Sequence, residues 1–243
     1  MFFDIRDSRD LEMTSSIRLN IRDSETGNML SEDRPLLEDI SPEDYHMTIR
    51  KTEEITVTGV VGIRMCEDYD NLTTLGVPTG YQGDPIYRFV VDTLGMQDEI
   101  RIPVTMLKDH SKIKVRFRTQ EGAFPYRVVA KGNTAGTDLL TGQPIRGRFR
   151  YEPPESEPGV FEFIVPRQID YLLALEIWAK PGMTLEEGYL DDFILWSVLQ
   201  KVRGFSWDLV NLPDLTLDID FVRSAVTVTV NDWNVAETIS YTI

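Results

Sequence analysis

The chain has 243 residues, of which 42% are hydrophobic and 27% charged, and its formal net charge is −15. This composition is typical of a folded globular protein, and the length is sufficient for one large or two ordinary domains. A surface this acidic repels nucleic acid and anionic lipid, so neither is expected as a partner.

The single cysteine, Cys66, excludes an internal disulfide and leaves the redox compartment open. No stretch approaches the ~18 apolar residues of a membrane span, so no direct span is expected. The first ten residues contain several acids and no apolar core, which is not the pattern of a signal peptide. These features predict a cytoplasmic protein or a chain without its leader.

The dominant period along the chain is two, which is typical of antiparallel strands with one face on a core and one in water. Strands are predicted at residues 16–23, 54–64, 98–106, 112–118, 160–167, 171–179 and 215–230, the last as a hairpin with its turn at Arg223–Ser224. In the first strand, Arg18, Asn20 and Arg22 alternate with Ile17, Leu19 and Ile21, and "SETGN" follows as a turn.

Glycine and proline modify this pattern at three places. The glycines of 54–64 indicate a bulge or a close backbone approach, and Pro103 indicates an edge strand or a break. The strands "FPYRVVAK" and "RGRFRYEP" are predicted to be separated by the loop "GNTAGTDLLTGQP". Because no βαβ alternation occurs, no parallel sheet is expected.

Residues 190–203 have helical rather than strand periodicity. Asp191 or Asp192 can cap the N-terminus of a helix, and Gly204 can end it. The apolar stripe consists of Leu190, Ile194, Val198 and Val202. An amphipathic helix here would close the end of a β-sandwich or, alternatively, dock a partner helix.

Many short strands and one short helix predict an all-β protein built of β-sandwiches. The polar segment 107–111 is the best internal border. We therefore expect an N-terminal β-sandwich domain at 1–107 and a C-terminal one, containing the helix, at 108–243.

The sequence offers little for catalysis or cofactor binding. His46, His110 and Cys66 are the only histidine and cysteine residues, fewer than the four ligands of a structural zinc site. No nucleophile, phosphate or dinucleotide motif is present, and "EDYDN" (67–71) lacks the glycine and distal glutamate of a calcium loop. The chain is therefore expected to be neither an enzyme nor a carrier of cofactor or metal.

Two other functional interpretations remain open. Asp214, Asp218 and Asp220 share one strand face, as a carboxylate pair of a glycosidase or simply as a solvated surface. Aromatic residues can form a sugar-stacking platform or belong to the core. They are Tyr69, Tyr81, Tyr87, Trp178, Trp196, Trp207 and Trp233.

Four stretches resemble the fimbrillin-associated proteins of Bacteroidales fimbriae, in particular the anchor-type subunits. They are "VTMLKDHSKIKVRFR", "GVFEFIVPRQIDYLLALEIW", "YLDDFILWSVLQKVRG" and "LTLDIDFVRSAVTVTVNDWNV". Their order matches the order of features in that family, and the resemblance covers residues 98–243. The first hundred residues match loosely, chiefly at "ISPEDYHMTIRK".

The resemblance implies two β-sandwich domains of transthyretin-like topology, a location at the cell surface or outer membrane, and a non-catalytic structural role. The chain would be an anchor, accessory or stalk subunit whose partners are other fimbrial subunits. In that family, an extended segment of one subunit completes an open sheet edge of another. The family's leader and lipid-bearing cysteine have no counterpart here. A carbohydrate-binding surface protein with glycan partners is the alternative.

The C-terminal stretch "NDWNVAETISYTI" breaks one strand and begins another. It forms either a hairpin return inside its own domain or a rim that contacts a neighbouring subunit. In the second case Trp233 anchors the junction, and Ile239, Tyr241 and Ile243 make the contact. Exposed loops containing Arg34 and Arg50, the latter followed by Lys51, are candidate sites of proteolytic processing.

Overall fold

The structure is a computed structural model that describes residues 1–6, 15–40, 45–64, 73–118, 124–180, 189–193, 199–200, 202, 205–220, 225–231 and 236–242. Regular structure in these ranges is almost entirely β, which confirms the predicted all-β class. Within the same ranges, no helix has the length and apolar character needed to cross a membrane.

The strands are numbered in chain order. The first nine are β1 (Phe2–Arg6), β2 (Ile17–Asp23), β3 (Met29–Asp33), β4 (Glu54–Val61), β5 (Thr74–Gly76), β6 (Tyr87–Leu94), β7 (Arg101–Thr105), β8 (Leu107–Lys108) and β9 (His110–Arg118). The others are β10 (Tyr126–Asp138), β11 (Pro144–Tyr151), β12 (Glu155–Glu157), β13 (Val160–Pro166), β14 (Ala174–Ala179), β15 (Tyr189–Phe193), β16 (Asp214–Asp220), β17 (Ala225–Asn231) and β18 (Ala236–Thr242). A short 3-10 helix spans Leu37–Asp39.

Contacts between backbone atoms divide the chain into two compact units. The first comprises Met1–Leu75, Pro85–Asp109 and Asp138–Gln143, and the second comprises Gly76–Asp84, His110–Thr137 and Pro144–Ile243. Each unit therefore contains a short segment from the other side of the predicted border. That residues 1–107 and 108–243 are two folding domains stays a prediction.

The first unit contains an antiparallel sheet with the strand order β3-β2-β4-β6-β8 and a separate parallel pair, β1 and β7. Their alternating apolar side chains form one buried cluster. Its most buried members are Phe3, Ile17, Leu19, Ile21, Ile55, Val57, Val61, Phe89, Ile102 and Val104. Pro103 lies in β7, which among the described strands pairs with β1 alone, as its missing N–H predicts.

The polar face of β2 is buried, contrary to the simple expectation of a solvated face. Arg18, Asn20 and Arg22 are all at least nine-tenths buried. Arg18 forms an ion pair of 2.8 Å with Glu32, and Arg22 Nη1 donates to the Gly27 carbonyl oxygen at 3.1 Å. Strand alternation shows which residues share a face, but the burial of the second face depends on chain segments distant in sequence.

The second unit is a β-sandwich. One sheet has the strand order β12-β13-β9-β16-β17-β18, and the other has the order β11-β10-β14-β15. Inward residues of both sheets form the larger core of the chain. They include Ile113, Val115, Phe117, Val128, Phe149, Phe161, Phe163, Leu175, Ile177, Leu215, Leu217 and Ile219. Burying each such side chain contributes about 1.5–3 kcal/mol.

An irregular segment, residues 205–213, is tied to this sandwich by one buried arginine. Arg167 donates hydrogen bonds to the carbonyl oxygens of Trp207, Leu209 and Val210. Its guanidinium thereby satisfies carbonyls that no strand partner reaches.

Two secondary-structure predictions require correction, and a third, the helix, is not confirmed. The helix expected at 190–203 is not confirmed. Its first residues belong to β15, which spans 189–193 and pairs with β14. Residues 194–198 lie outside the described ranges, and among the described residues that follow only Leu199 is helical. The loop expected at 132–144 is largely strand, because β10 continues to Asp138 and pairs with β11 through bulges. A parallel pairing joins β16 to β9, so sheet direction was not readable from the missing βαβ pattern.

Candidate interaction surface

The C-terminal segment forms an edge strand. β18 pairs antiparallel with β17 along its whole length without a register shift, from Ala225↔Thr242 to Asn231↔Ala236. In the described part of the chain, no strand lies on its other side. Residues 236–242 thus pair within their own sheet, and contact of this segment with a neighbouring subunit stays a prediction.

The register continues the core rows of the sheet into β18. Ile239 lies opposite Val228, which lies opposite the fully buried Leu217. Ile239 and Leu217 therefore belong to one register row of the sheet. Tyr241 occupies the next row, beyond Val226 and Ile219.

The other sheet edges are less suited to pairing with an added strand. β12 has three residues and an irregular register, and β8 has only two residues. β3 has a register shift beside β2, and β11 has two shifts beside β10. Bulges disrupt the row of N–H and C=O groups that a new strand needs, so β18 is the longest regular edge described.

Not all of the predicted contact residues can be placed. Ile239 and Tyr241 lie in β18, whereas Trp233 and Ile243 lie outside the described residues. The two predicted processing residues, Arg34 and Arg50, are both exposed and lie outside the strands.

The predicted sugar platform has little support among the described aromatic residues. Trp207 and Tyr87 are buried, and the Arg127 guanidinium lies 5.2 Å from the centre of the Trp178 ring. Tyr81, at 52% exposure, is the one fully exposed member of the predicted set in the described ranges. Tyr69, Trp196 and Trp233 lie outside them.

The three aspartates of β16 do share a face, as predicted, but they have structural partners. Asp218 forms an ion pair of 2.8 Å with Arg116, and Asp214 accepts a hydrogen bond of 2.7 Å from the Lys112 backbone N–H. Asp220 also has an interaction partner. These pairings favour a structural surface over a pair of catalytic carboxylates.

The candidate metal ligands are dispersed. His46 is exposed near the Phe2 ring, His110 is buried, and Cys66 lies outside the described residues together with the 67–71 segment. Among the residues that the structure describes, no group of three or more His, Cys, Asp or Glu could hold a metal ion.

A charged cluster on the β11-β10-β14 sheet was missed by the sequence analysis. The nearly buried Glu176 accepts a hydrogen bond of 2.8 Å from Arg150 and forms an ion pair with Lys131. Burial alone would raise the pKa of Glu176, but the bonds from Lys131 and Arg150 outweigh it and hold the pKa below its ordinary value. The alternating arginines of "RGRFRY" were the visible signal, but their partners are distant in sequence.

Comparison with known proteins places the fold. No family model matches the sequence, and no curated protein matches it significantly. A candidate polysaccharide-binding protein of Bacteroides thetaiotaomicron has the same fold with a TM-score of 0.68 and 12% identity, over 98% of this chain and 96% of that chain.

Two fimbrial proteins of Porphyromonas gingivalis also share it. The fimbrial anchor protein Mfa2 has a TM-score of 0.61 and 11% identity, over 95% of this chain and 96% of its own. The tip fimbrial protein Mfa3, truncated at its C-terminus, has a TM-score of 0.53 and 10% identity, over 91% of this chain and 95% of its own. The predicted resemblance to Bacteroidales fimbrial proteins is thus confirmed as a shared fold, and it extends well beyond residues 98–243.

Proposed function

We propose that this chain is a non-catalytic structural subunit of a fimbria-like assembly at the bacterial cell surface. The fold similarity to anchor and tip fimbrial proteins over nearly the whole of both chains supports this role. The observation that carries it is the combination of that fold with the regular edge strand β18, which among the described strands pairs with β17 alone.

The proposed assembly mechanism is strand complementation at that edge. An extended segment of a neighbouring subunit would pair with β18, satisfying its outward N–H and C=O groups. Two apolar register rows of the sheet end at Ile239 and Tyr241. Apolar side chains of the added strand would extend these rows. Trp233 and Ile243 flank this strand in the sequence and complete the proposed contact.

Within such an assembly, the partners would be other fimbrial subunits, and the chain would act as an anchor, accessory or stalk component at the outer membrane. We further propose Arg34 and Arg50 as processing sites, because both are exposed and lie outside the strands. Mass spectrometry of the subunit recovered from filaments should find a new N-terminus after one of them. An N-terminus elsewhere would contradict this assignment.

The assembly role is tested with a double variant of the edge strand, Thr238→Lys and Ser240→Lys. Thr238 and Ser240 alternate with Ile239 along β18 and so lie outside the register row of the buried Leu217, and the fold should therefore persist. Lysines on an edge strand oppose the pairing of another strand. Filaments isolated from the source bacterium should carry the wild-type chain in immunogold labelling. The double variant should be depleted at least tenfold.

The matched control is Thr227→Lys with Thr229→Lys on β17. It adds the same charge to the same register rows, at residues opposite Ser240 and Thr238, but on a strand that is already paired on both sides. This control should enter filaments near the wild-type level. Absence of the wild-type chain from filaments, or normal incorporation of the β18 variant, would refute the proposal.

A carbohydrate-binding surface protein is the second candidate. The specific observation in its favour is a basic cavity beside Glu176, lined by Lys131, Arg148 and Arg150. Similarity to a candidate polysaccharide-binding protein adds support at the level of the fold.

A further inference from the structure

A cavity of about 280 Å³ opens in the second unit where β10 and β11 meet. The lining residues that the structure describes are three cations, one glycine and one phenylalanine: Lys131, Gly132, Arg148, Phe149 and Arg150. This local excess of positive charge contrasts with the net charge of −15 of the whole chain. A volume just below the usual range of ligand pockets suits one small chemical group and its immediate attachment.

Two of the cations are held in place by a buried acid. Lys131 and Arg150 lie directly opposite each other on β10 and β11, an arrangement in which like charges repel. Glu176 on β14 contacts both, and the Trp178 indole N–H lies 3.4 Å from the same carboxylate. Because one carboxylate balances two cations, the cluster keeps a positive charge and a fixed geometry.

The third cation, Arg148, is exposed and forms no ion pair with an acidic residue in the part of the chain that the structure describes. The register shifts between Gly132↔Phe149 and Thr134↔Arg146, so that Arg148 falls in a bulge of β11. A bulge of this kind redirects a side chain, and bulges recur beside binding sites. Arg146, on the same strand, is also exposed.

Asn133, the residue after Gly132, has a buried amide. Its Nδ2 atom makes no hydrogen bond to any residue that the structure describes. Gln168 packs against Gly132 so closely that a Cβ there would overlap its amide, and its Oε1 accepts the Asn133 backbone N–H at 3.0 Å. Gln168 thus holds the backbone at Gly132 and Asn133, beside the cavity lining.

We propose that this cavity binds the carboxylate of an acidic sugar residue, with Arg148 as the ligand-contacting cation and with Lys131 and Arg150 held in position by Glu176. Arginine presents a planar fork of donors that matches a carboxylate. The proposal deepens the carbohydrate-binding candidate and does not require the assembly role. Screening over about 8 Å at physiological salt keeps the distant acidic surface from cancelling the local charge.

An acidic peptide is a poorer fit to the same surface. A peptide would bind β11 most directly as an added strand, but the two register shifts beside β11 interrupt the ladder on which such binding depends. A concave cavity with converging cations favours a compact anionic group on a sugar ring over an extended chain.

The test is calorimetric titration of the full chain at physiological ionic strength with oligogalacturonate, maltohexaose, hexaglutamate and inorganic sulfate. We expect oligogalacturonate to bind and the other three to bind at least tenfold more weakly. Arg148→Ala should reduce the affinity for oligogalacturonate at least tenfold. Since Arg148 is exposed, this variant should retain the wild-type melting temperature.

The matched control is Arg50→Ala, which removes an exposed arginine from the first unit and should leave the affinity within twofold of the wild type. No binding of oligogalacturonate would overturn the proposal, as would equal effects of the two substitutions. Equal binding of hexaglutamate would indicate an acidic-peptide site, and equal binding of sulfate an adventitious ion only. Because the filament experiment uses β18 variants, either proposal can fail without the other.

Discussion

At the scale of single residues, glycine marks the points where backbone segments come closest. Gly62 follows β4 with a φ of +92°, and a Cβ there would overlap the Pro85 carbonyl oxygen. At Gly59, a Cβ would overlap a side chain, the Phe89 ring. The close approach predicted for the glycines of 54–64 is therefore confirmed.

Substitution Gly62→Ala should destabilise the chain more than Gly27→Ala. Both glycines have positive φ, which costs about 1–2 kcal/mol for a residue with a Cβ. Only Gly62 adds an overlap with a backbone atom, so its total loss in free energy of unfolding should reach about 3 kcal/mol or more. Urea denaturation measures the free energy of unfolding of both variants. Equal losses would show that the backbone at Pro85 shifts without cost to make room for the Cβ of residue 62.

At the scale of elements, the β2–β3 hairpin shows how a turn is fixed by one carboxylate. Asp23 ends β2 and accepts hydrogen bonds from the Thr52 hydroxyl at 2.6 Å and from the Thr26 backbone N–H at 2.8 Å. The bond from Thr52, with those from Thr26, lowers the pKa of Asp23 to about 2. The turn itself, "SETGN", was predicted from its composition.

The pH dependence of this hairpin follows from the sign of that shift. Because the folded pKa lies below the ordinary value, the stabilisation is complete above about pH 4 and is lost as the pH falls towards 2. The melting temperature of Asp23→Asn should therefore fall less steeply than that of the wild type between pH 5 and pH 2. Asp39→Asn, at an exposed position, should keep the wild-type slope; identical slopes for wild type and Asp23→Asn would refute the role of Asp23.

The edge strand β18 supplies a second prediction at this scale. Ile239 lies in the same register row as the buried Leu217. Ser240 lies in the neighbouring row, with the polar residues Thr227 and Asp218. Ile239→Asp should therefore lower the free energy of unfolding by about 2–4 kcal/mol, and Ser240→Asp by less than about 1 kcal/mol. Chemical denaturation compares them, and a reversed order would mean that the register of β18 is different.

The fate of the predicted elements shows where local pattern is sufficient. Strict alternation in β9 and β16 predicted both strands and their buried residues. The capping aspartates Asp191 and Asp192 favoured a helix, but they lie in β15, where pairing with β14 overrides local propensity. The long β10 was hidden by its glycines and threonines because bulges break the period of two.

At the scale of the whole molecule, the two units exchange short segments. Leu139, from the segment Asp138–Gln143, is buried in the first unit with Val60, Leu75 and Ile86. In the second unit, Gly83 N–H donates to the Ile164 carbonyl oxygen at 2.9 Å, within a segment that precedes the predicted border. A border drawn at one sequence position therefore removes part of each unit.

This arrangement predicts the behaviour of fragments. Fragments 1–107 and 108–243, prepared separately, should not reproduce the cooperative thermal unfolding of the full chain, because each lacks one of these segments. In the intact chain, Leu139→Ala should lower the free energy of unfolding by about 2–4 kcal/mol. Circular dichroism melts measure both. Full-chain stability in both fragments would show that the exchanged segments are dispensable and that 107 is a true domain border.

The sequence alone determined that this is an all-β protein and which strands carry its core, because alternation and turn residues act over a few neighbouring positions. The candidate edge residues Ile239 and Tyr241 were also accessible from that pattern. The resemblance to fimbrial proteins came from four stretches and their order along the chain. Only the tertiary structure decided that β16 runs parallel to β9, that the polar face of β2 is buried, and that Glu176 gathers Lys131 and Arg150. Those features depend on contacts between residues far apart in the chain, and no local period encodes them.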